Sequence, residues 1–115
     1  MSAPDAALEQ SDAQNRMLRL VGLGVRSRKV VVGVEMVRQA AKKGTLVLAI
    51  VAPDASRHSR EKVLPLLTAK RVQVIEGPLA AALGAAVGRD AAAAVGVIDR
   101  DLANGISGIA ERRIG

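Results

Sequence analysis

The sequence predicts an α/β sandwich on a four-stranded, mainly parallel or mixed sheet, and three observations lead there. Short apolar runs alternate with amphipathic stretches of helical period along most of the chain. One of those runs, Leu46 to Ala52, shows no polar alternation, the pattern of a central strand covered by helices on both faces. Half of the residues are hydrophobic yet none is Phe, Trp or Tyr, so the core must be Val, Leu, Ile, Ala and Met, which favours close approach of helices to a sheet. At 115 residues there is room for one such domain, over 13–115, and an N-terminal tail.

Residues 1–12 are acidic and polar without a period and read as a disordered leader rather than a secretory signal. Met17, Leu18 and Val21 then recur at helical spacing with Arg16 and Arg19 outside, which predicts a first helix over 13–26. The basic run Arg26, Ser27, Arg28, Lys29 leads into a short strand, Val30 to Val32, that Gly33 ends. A second helix takes Val34 to Lys43 with Val37, Ala40 and Ala41 inward, and Gly44 stands where a helix C-terminal glycine belongs. After the strand at 46–52, Asp54 or Ser56 can cap a third helix over 57–70, with Val63, Leu66 and Leu67 inward and Pro65 bending or breaking it. Val72 to Ile75 is a brief strand, Leu79 to Val87 an Ala-rich helix closed by Gly88, and Ala91 to Ile98 a fourth strand. Asp99 caps a last helix over 100–112.

The inventory argues against catalysis and metal binding. The chain has no cysteine, hence no thiolate nucleophile, and its one histidine, His58, lies between Arg57 and Arg60, where neighbouring cations make a poor general base. No carboxylates sit at metal-ligand spacing, no cofactor motif is present, and the glycines of GLGVRS follow a helix instead of a strand, which does not suit a dinucleotide loop. Asp54 and Asp99 follow apolar strands, as phosphoacceptors would, but both also stand where helices need caps. The longest apolar run is far short of the roughly 20 residues that span a bilayer, so no membrane partner is expected and a cytoplasmic location fits. The net charge of +6 and pI near 10.8 favour a polyanion, most simply nucleic acid. Residue by residue, the basic loop and the polar face of the second helix suit either phosphate contacts or a solvated surface.

Several motifs in order resemble those of the ribosomal L-seven-Ae/L-thirty-e superfamily, and within it the small bacterial YlxQ-like group. The family pattern LxLLGLARRAGKxVxG is met here as LRLVGLGVRSRKVVVG over residues 18–33, followed by Gly33 and Gly44 at the family's spacing. LVLAIVAPDAS, LPLL, the LGxAxG residues Leu83, Gly84, Ala86 and Gly88, and AVGVIDRDLANGI continue the likeness to about residue 110. The resemblance implies a three-layer α-β-α sandwich with a mixed four-stranded sheet and, as function, non-enzymatic binding of structured, kink-turn RNA in ribonucleoprotein particles of the ribosome or translation. The family's reading motif, G-x-N-E-x-x-K at the start of the second helix, falls on Gly33, Glu35, Met36 and Gln39, so all three reading side chains differ. The expected RNA surface therefore comprises Arg26, Arg28, Lys29, Gly33, Val34, Glu35, Arg38, Gln39, Lys42 and Lys43, with Arg89 and Ala91 from the loop before the last strand. RNA, ribosomal components and a monomeric state are the expected partners and assembly. The alternative is a protein-interaction adaptor on the same fold.

Overall fold

The computed structural model describes residues 2–114, and side chains from Asp12 to Ala110. Its elements are α1 (Ser2–Arg26), β1 (Val30–Val32), α2 (Val34–Lys43), β2 (Leu48–Val51), α3 (Arg57–Ala69), β3 (Gln73–Glu76), α4 (Ala80–Ala86), β4 (Ala94–Val97) and α5 (Arg100–Ile114). The sheet order is β1-β4-β2-β3, with β4 antiparallel to both neighbours and β2 parallel to β3. It is thus the mixed, four-stranded α/β arrangement that the alternation of elements implied.

Side-chain parity divides the core into two layers. Val30, Leu48, Ile50, Val95 and Val97 point to one face, where Met17 and Val21 of α1, Leu83 of α4 and Ala103 and Ile106 of α5 cover them. Ala49, Val51 and Ala94 point to the other, under Val37, Ala40 and Ala41 of α2 and Val63 and Leu67 of α3. All four residues of β2 and of β4 are buried, because a strand covered on both faces needs apolar residues at every position. Gly96 belongs to the α2 face, where a Cβ would fall 2.6 Å from Leu46 Cδ1 and 3.3 Å from Val37 Cγ2. The missing side chain lets α2 approach the middle of the sheet.

Five details differ from the sequence reading. The fourth strand, expected over Ala91 to Ile98, is β4 over Ala94–Val97 only. The helix expected to begin at 13 is part of α1, which runs from Ser2 to Arg26, and the expected leader over 1–12 falls almost wholly on residues whose side chains lie outside the described set. The apolar run 46–52 forms a strand only over Leu48–Val51, since Val47 N–H bonds to Val97 O outside the regular ladder. Leu66, expected inward, is half-buried at the edge of the α3 contact. Pro65 neither ends nor breaks α3, which continues to Ala69.

The caps follow local chemistry. Ser56 Oγ accepts from Ser59 N–H at 3.1 Å and opens α3, and Asp99 Oδ2 accepts from Leu102 N–H at 2.9 Å and opens α5. Asp54 instead reaches across to α4, where its Oδ1 accepts from Ala80 N–H at 2.8 Å. Both aspartates considered as chemical groups are therefore engaged by helix N–H donors. In α5, Gly105 is exposed in the helix interior and a Cβ there would meet only Leu20 Cδ1, at 3.6 Å. Gly105→Ala is expected to stabilise the fold by about 0.5–1 kcal/mol, read as a higher urea midpoint, because alanine loses less backbone entropy on entering a helix.

Candidate functional site

β1, β2 and β3 finish at one end of the sheet, and β4 begins there because it runs against β1 and β2. Beyond the carboxyl ends of strands is where open α/β sheets leave room for ligands. Gly33 makes the turn from β1 into α2 with φ 100° and ψ 156°, a conformation that residues with a Cβ take only under strain. Its N–H donates to Ala94 O at 2.9 Å, and its carbonyl accepts from Val37 N–H at 3.0 Å. No side chain caps α2, which leaves the first-turn N–H groups and their partial positive charge facing outward.

A shallow concavity of about 430 Å³ opens over this turn. Its walls are Val34 and Met36 from α2, His58, Ser59 and Lys62 from α3, and Arg89 from the loop before β4. A Cβ on Gly33 would stand 3.9 Å from Arg89 Nη1, so the guanidinium hangs over the glycine. Met36 keeps 46% of its surface exposed, an apolar spot in the same concavity.

Most cations around this end are already engaged. Lys62 Nζ is 3.6 Å from Glu35, Arg57 pairs with Glu61 at 2.8 Å, Arg60 pairs with Glu76 and donates to Ala52 O at 3.2 Å, and Arg38 donates to Lys62 O. Arg89 has no ion pair among the described residues. Five cations (Arg38, Arg57, Arg60, Lys62, Arg89) face five acids (Glu35, Asp54, Glu61, Glu76, Asp90), so this end carries no net charge.

The structure brings together Gly33, Val34, Glu35 and Arg89 of the expected surface, with Arg38 one turn along α2 and Ala91 exposed in the Arg89 loop. Gln39 and Lys43 line a separate groove with Val31, Thr45 and Ile98. The basic loop Arg26, Arg28, Lys29, expected beside the start of α2, is at the other end of β1. Lys29 O accepts from Ile98 N–H at 2.9 Å, whereas Gly33 bonds to Ala94, at the opposite end of β4. Lys42 and Lys43 share the Lys29 end because α2 runs back along the sheet and Val47 N–H bonds to Val97 O. The single face imagined from consecutive residues is two surfaces, since a strand and the helix after it run in opposite directions. His58, Ser59 and Lys62 were not part of the expected RNA surface, because only the sheet order sets the start of α3 beside the start of α2.

The far end is strongly basic. Around Lys29 stand Arg26 and Arg28 from the α1–β1 turn, Lys42 and Lys43 from the end of α2, Lys70 and Arg71 ahead of β3, and Arg100 at the start of α5. All eight are exposed. The acids there are Asp99, 4.0 Å from Lys29 Nζ, and Asp101.

The model of the Ribosomal protein L7Ae/L30e/S12e/Gadd45 family matches residues 15–105. This chain belongs to that family. Among curated proteins, it is 32% identical over 85 residues to "RNA-binding protein YlxQ" of Bacillus subtilis (strain 168), an alignment covering 74% of this chain and 85% of that one. A Bacillus halodurans C protein of unknown function superposes with a TM-score of 0.76 at 27% identity, over 83% of this chain and 96% of that one. The Giardia lamblia 15.5kD RNA binding protein shares the fold with a TM-score of 0.68 at 22% identity, over 94% of this chain and 87% of its own. The L7Ae-like scaffold and its YlxQ-like branch are those to which the spacing of Gly33, Gly44 and the LGxAxG residues pointed. Among the described residues, no helix is long and apolar enough to cross a membrane.

Proposed function

We propose that this chain is a non-enzymatic, monomeric RNA-binding protein of the cytoplasm, serving the ribosome or translation, and that it holds structured, kink-turn-like RNA at the start of α2. The supporting observation is the concavity over Gly33 in a chain that aligns with most of an RNA-binding relative. The open α2 N–H groups suit a phosphate or a base edge. Met36 and Arg89 line the same concavity, and together they offer an unstacked base an apolar side chain and a guanidinium plane in a chain without aromatic residues. The expected contacts are Gly33, Val34, Glu35, Arg38 and Arg89, with Ala91 in the covering loop.

Glu35 and Met36 alter the readout. A carboxylate paired with Lys62 has no amide donor for a base edge, and a thioether donates nothing. Recognition then leans on shape and on Arg89. The adaptor reading draws on the same exposed Met36 and the same neutral charge balance, which also suit a protein partner.

Gel-shift titration against a kink-turn RNA, the same RNA without its G·A pairs, and a plain duplex, each at two salt concentrations, tests the proposal. Preference for the first RNA is expected, and Arg89→Ala should weaken it about tenfold, or about 1.4 kcal/mol. Equal affinity for all three RNAs, unmoved by Arg89→Ala, would exclude recognition at the start of α2 and favour the adaptor.

A further inference from the structure

We propose that the far end of the sheet is a second nucleic-acid surface, one that grips the phosphate backbone of an RNA duplex segment other than the one held at the start of α2. It shares with the proposed function only the class of ligand. Two independent observations carry it.

The first is where the charge sits. Of the chain's 17 Lys and Arg residues, eight stand at the far end with only two of its 11 acids. Among the described residues the far end thus carries a net +6, while the seven cations and six acids elsewhere nearly cancel and those around the concavity over Gly33 balance. Sequence-independent attraction to a polyanion must act where the net charge is. Strands are spaced ~4.8 Å apart, so the starts of β1 and β3 put Lys29 and Arg71 roughly 14 Å apart, and the helical layers extend the patch above and below. That breadth suits a run of duplex phosphates better than a single small anion.

The second observation is backbone strain. α1, α2 and α3 all return to this end, and each is followed by a residue of positive φ: Gly44 at 79° after α2, Arg28 at 61° after α1 and Arg71 at 56° after α3. Glycine takes this left-handed position freely, whereas an L side chain is strained there. Two of the three positions carry arginine regardless. A device that only ended helices would use glycine, as α2 does; arginine adds a guanidinium whose fork matches phosphate oxygens.

Cations near helix C-termini also offset the helix dipole, and this accounts for Arg26, Lys42 and Lys43 in last turns. It bears less on Arg28 and Arg71, which lie just past the helices in the left-handed position, where a cation could have been placed without strain one residue earlier. The two surfaces lie past opposite ends of the strands and face away from each other, so a straight duplex on one cannot reach the other. Occupied together, they make the protein a link between two RNA segments.

The test uses the full chain, a plain RNA duplex of two helical turns, and the double variant Arg28→Gly with Arg71→Gly. Because glycine suits both turns, the variant should fold with an unchanged or higher Tm while its duplex affinity falls and the slope of log K against log salt drops by about two. Lys42→Gln with Lys43→Gln and Lys70→Gln, which leaves the turns intact, should lower the slope likewise. With kinked RNA immobilised, wild-type protein should capture the labelled duplex from solution and the glycine variant should not. A wild-type slope and wild-type capture in both variants would overturn the second surface. In the wild-type protein, equal affinity for kinked and plain RNA together with a steep duplex slope would count against the Gly33 site alone.

Discussion

Gly84→Val is expected to cost about 3 kcal/mol and to lower Tm by roughly 10 °C. Gly84 is buried in α4, and a Cβ there would fall 2.5, 2.6 and 2.7 Å from Cα, N and C of Ala91. These are backbone atoms, so no rotamer change relieves the overlap. The Ala91 segment is held where it is by Arg89 N–H to Gly84 O at 2.8 Å and Ala92 N–H to Ala80 O at 3.0 Å. A side chain at 84 must push the segment outward and break those bonds, and Arg89 moves away from Gly33 with it. Stability and any preference for structured RNA should therefore fall together. Thermal melts of Gly84→Val beside Gly105→Ala check the first part, because both alter a helical glycine but only one meets backbone. A Tm for Gly84→Val within a degree or two of wild type would mean that the loop gives way freely and does not fix Arg89.

The scaffold was legible in the sequence because its signals are local. Val37, Ala40 and Ala41 mark the buried face of α2, Gly44 marks its end, and the unbroken run at Leu46 marks a strand with no solvent face, each within one element. Strand ends drifted by up to three residues where a tertiary bond, such as Val47 N–H to Val97 O, decided what counts as strand. The candidate site was legible only in part, because it is made by neighbours in space. Gly33 and Arg89 came from motif spacing, but Lys62 pairs with Glu35 across 27 positions of sequence, and no local pattern announces such a contact. The same limit made consecutive basic residues look like one surface. Charge is read along the chain, yet each strand and helix carries its two ends to opposite sides of the sheet, so cations eight or ten residues apart can serve different ligands.

Gly33 and Gly44 frame α2, and exchanging each for alanine should separate what the two glycines are for. Gly44, at φ 79° and ψ 14°, is in the left-handed helical region, with nothing within 4 Å of where a Cβ would stand. L residues reach that region at modest cost, so Gly44→Ala should lose about 1 kcal/mol. Gly33, at φ 100° and ψ 156°, is in a region essentially reserved for glycine, and Gly33→Ala should lose about 2 to 3 kcal/mol although the nearest atom, Arg89 Nη1, is 3.9 Å away. The larger loss would thus come from the backbone, not from crowding. Relief of that strain would rotate the peptide that joins β1 to α2, disturbing both the Gly33 N–H bond to Ala94 O and the direction of the first free N–H groups of the helix. Urea midpoints give the ordering of the two costs. RNA affinity, measured where both variants remain folded, should fall for Gly33→Ala and hold for Gly44→Ala, since the ligand proposed for this turn meets α2 at its beginning and not at its end. If Gly44→Ala proved the costlier change, helix termination would be the dominant constraint on α2, and the conformation of Gly33 would be incidental to the site.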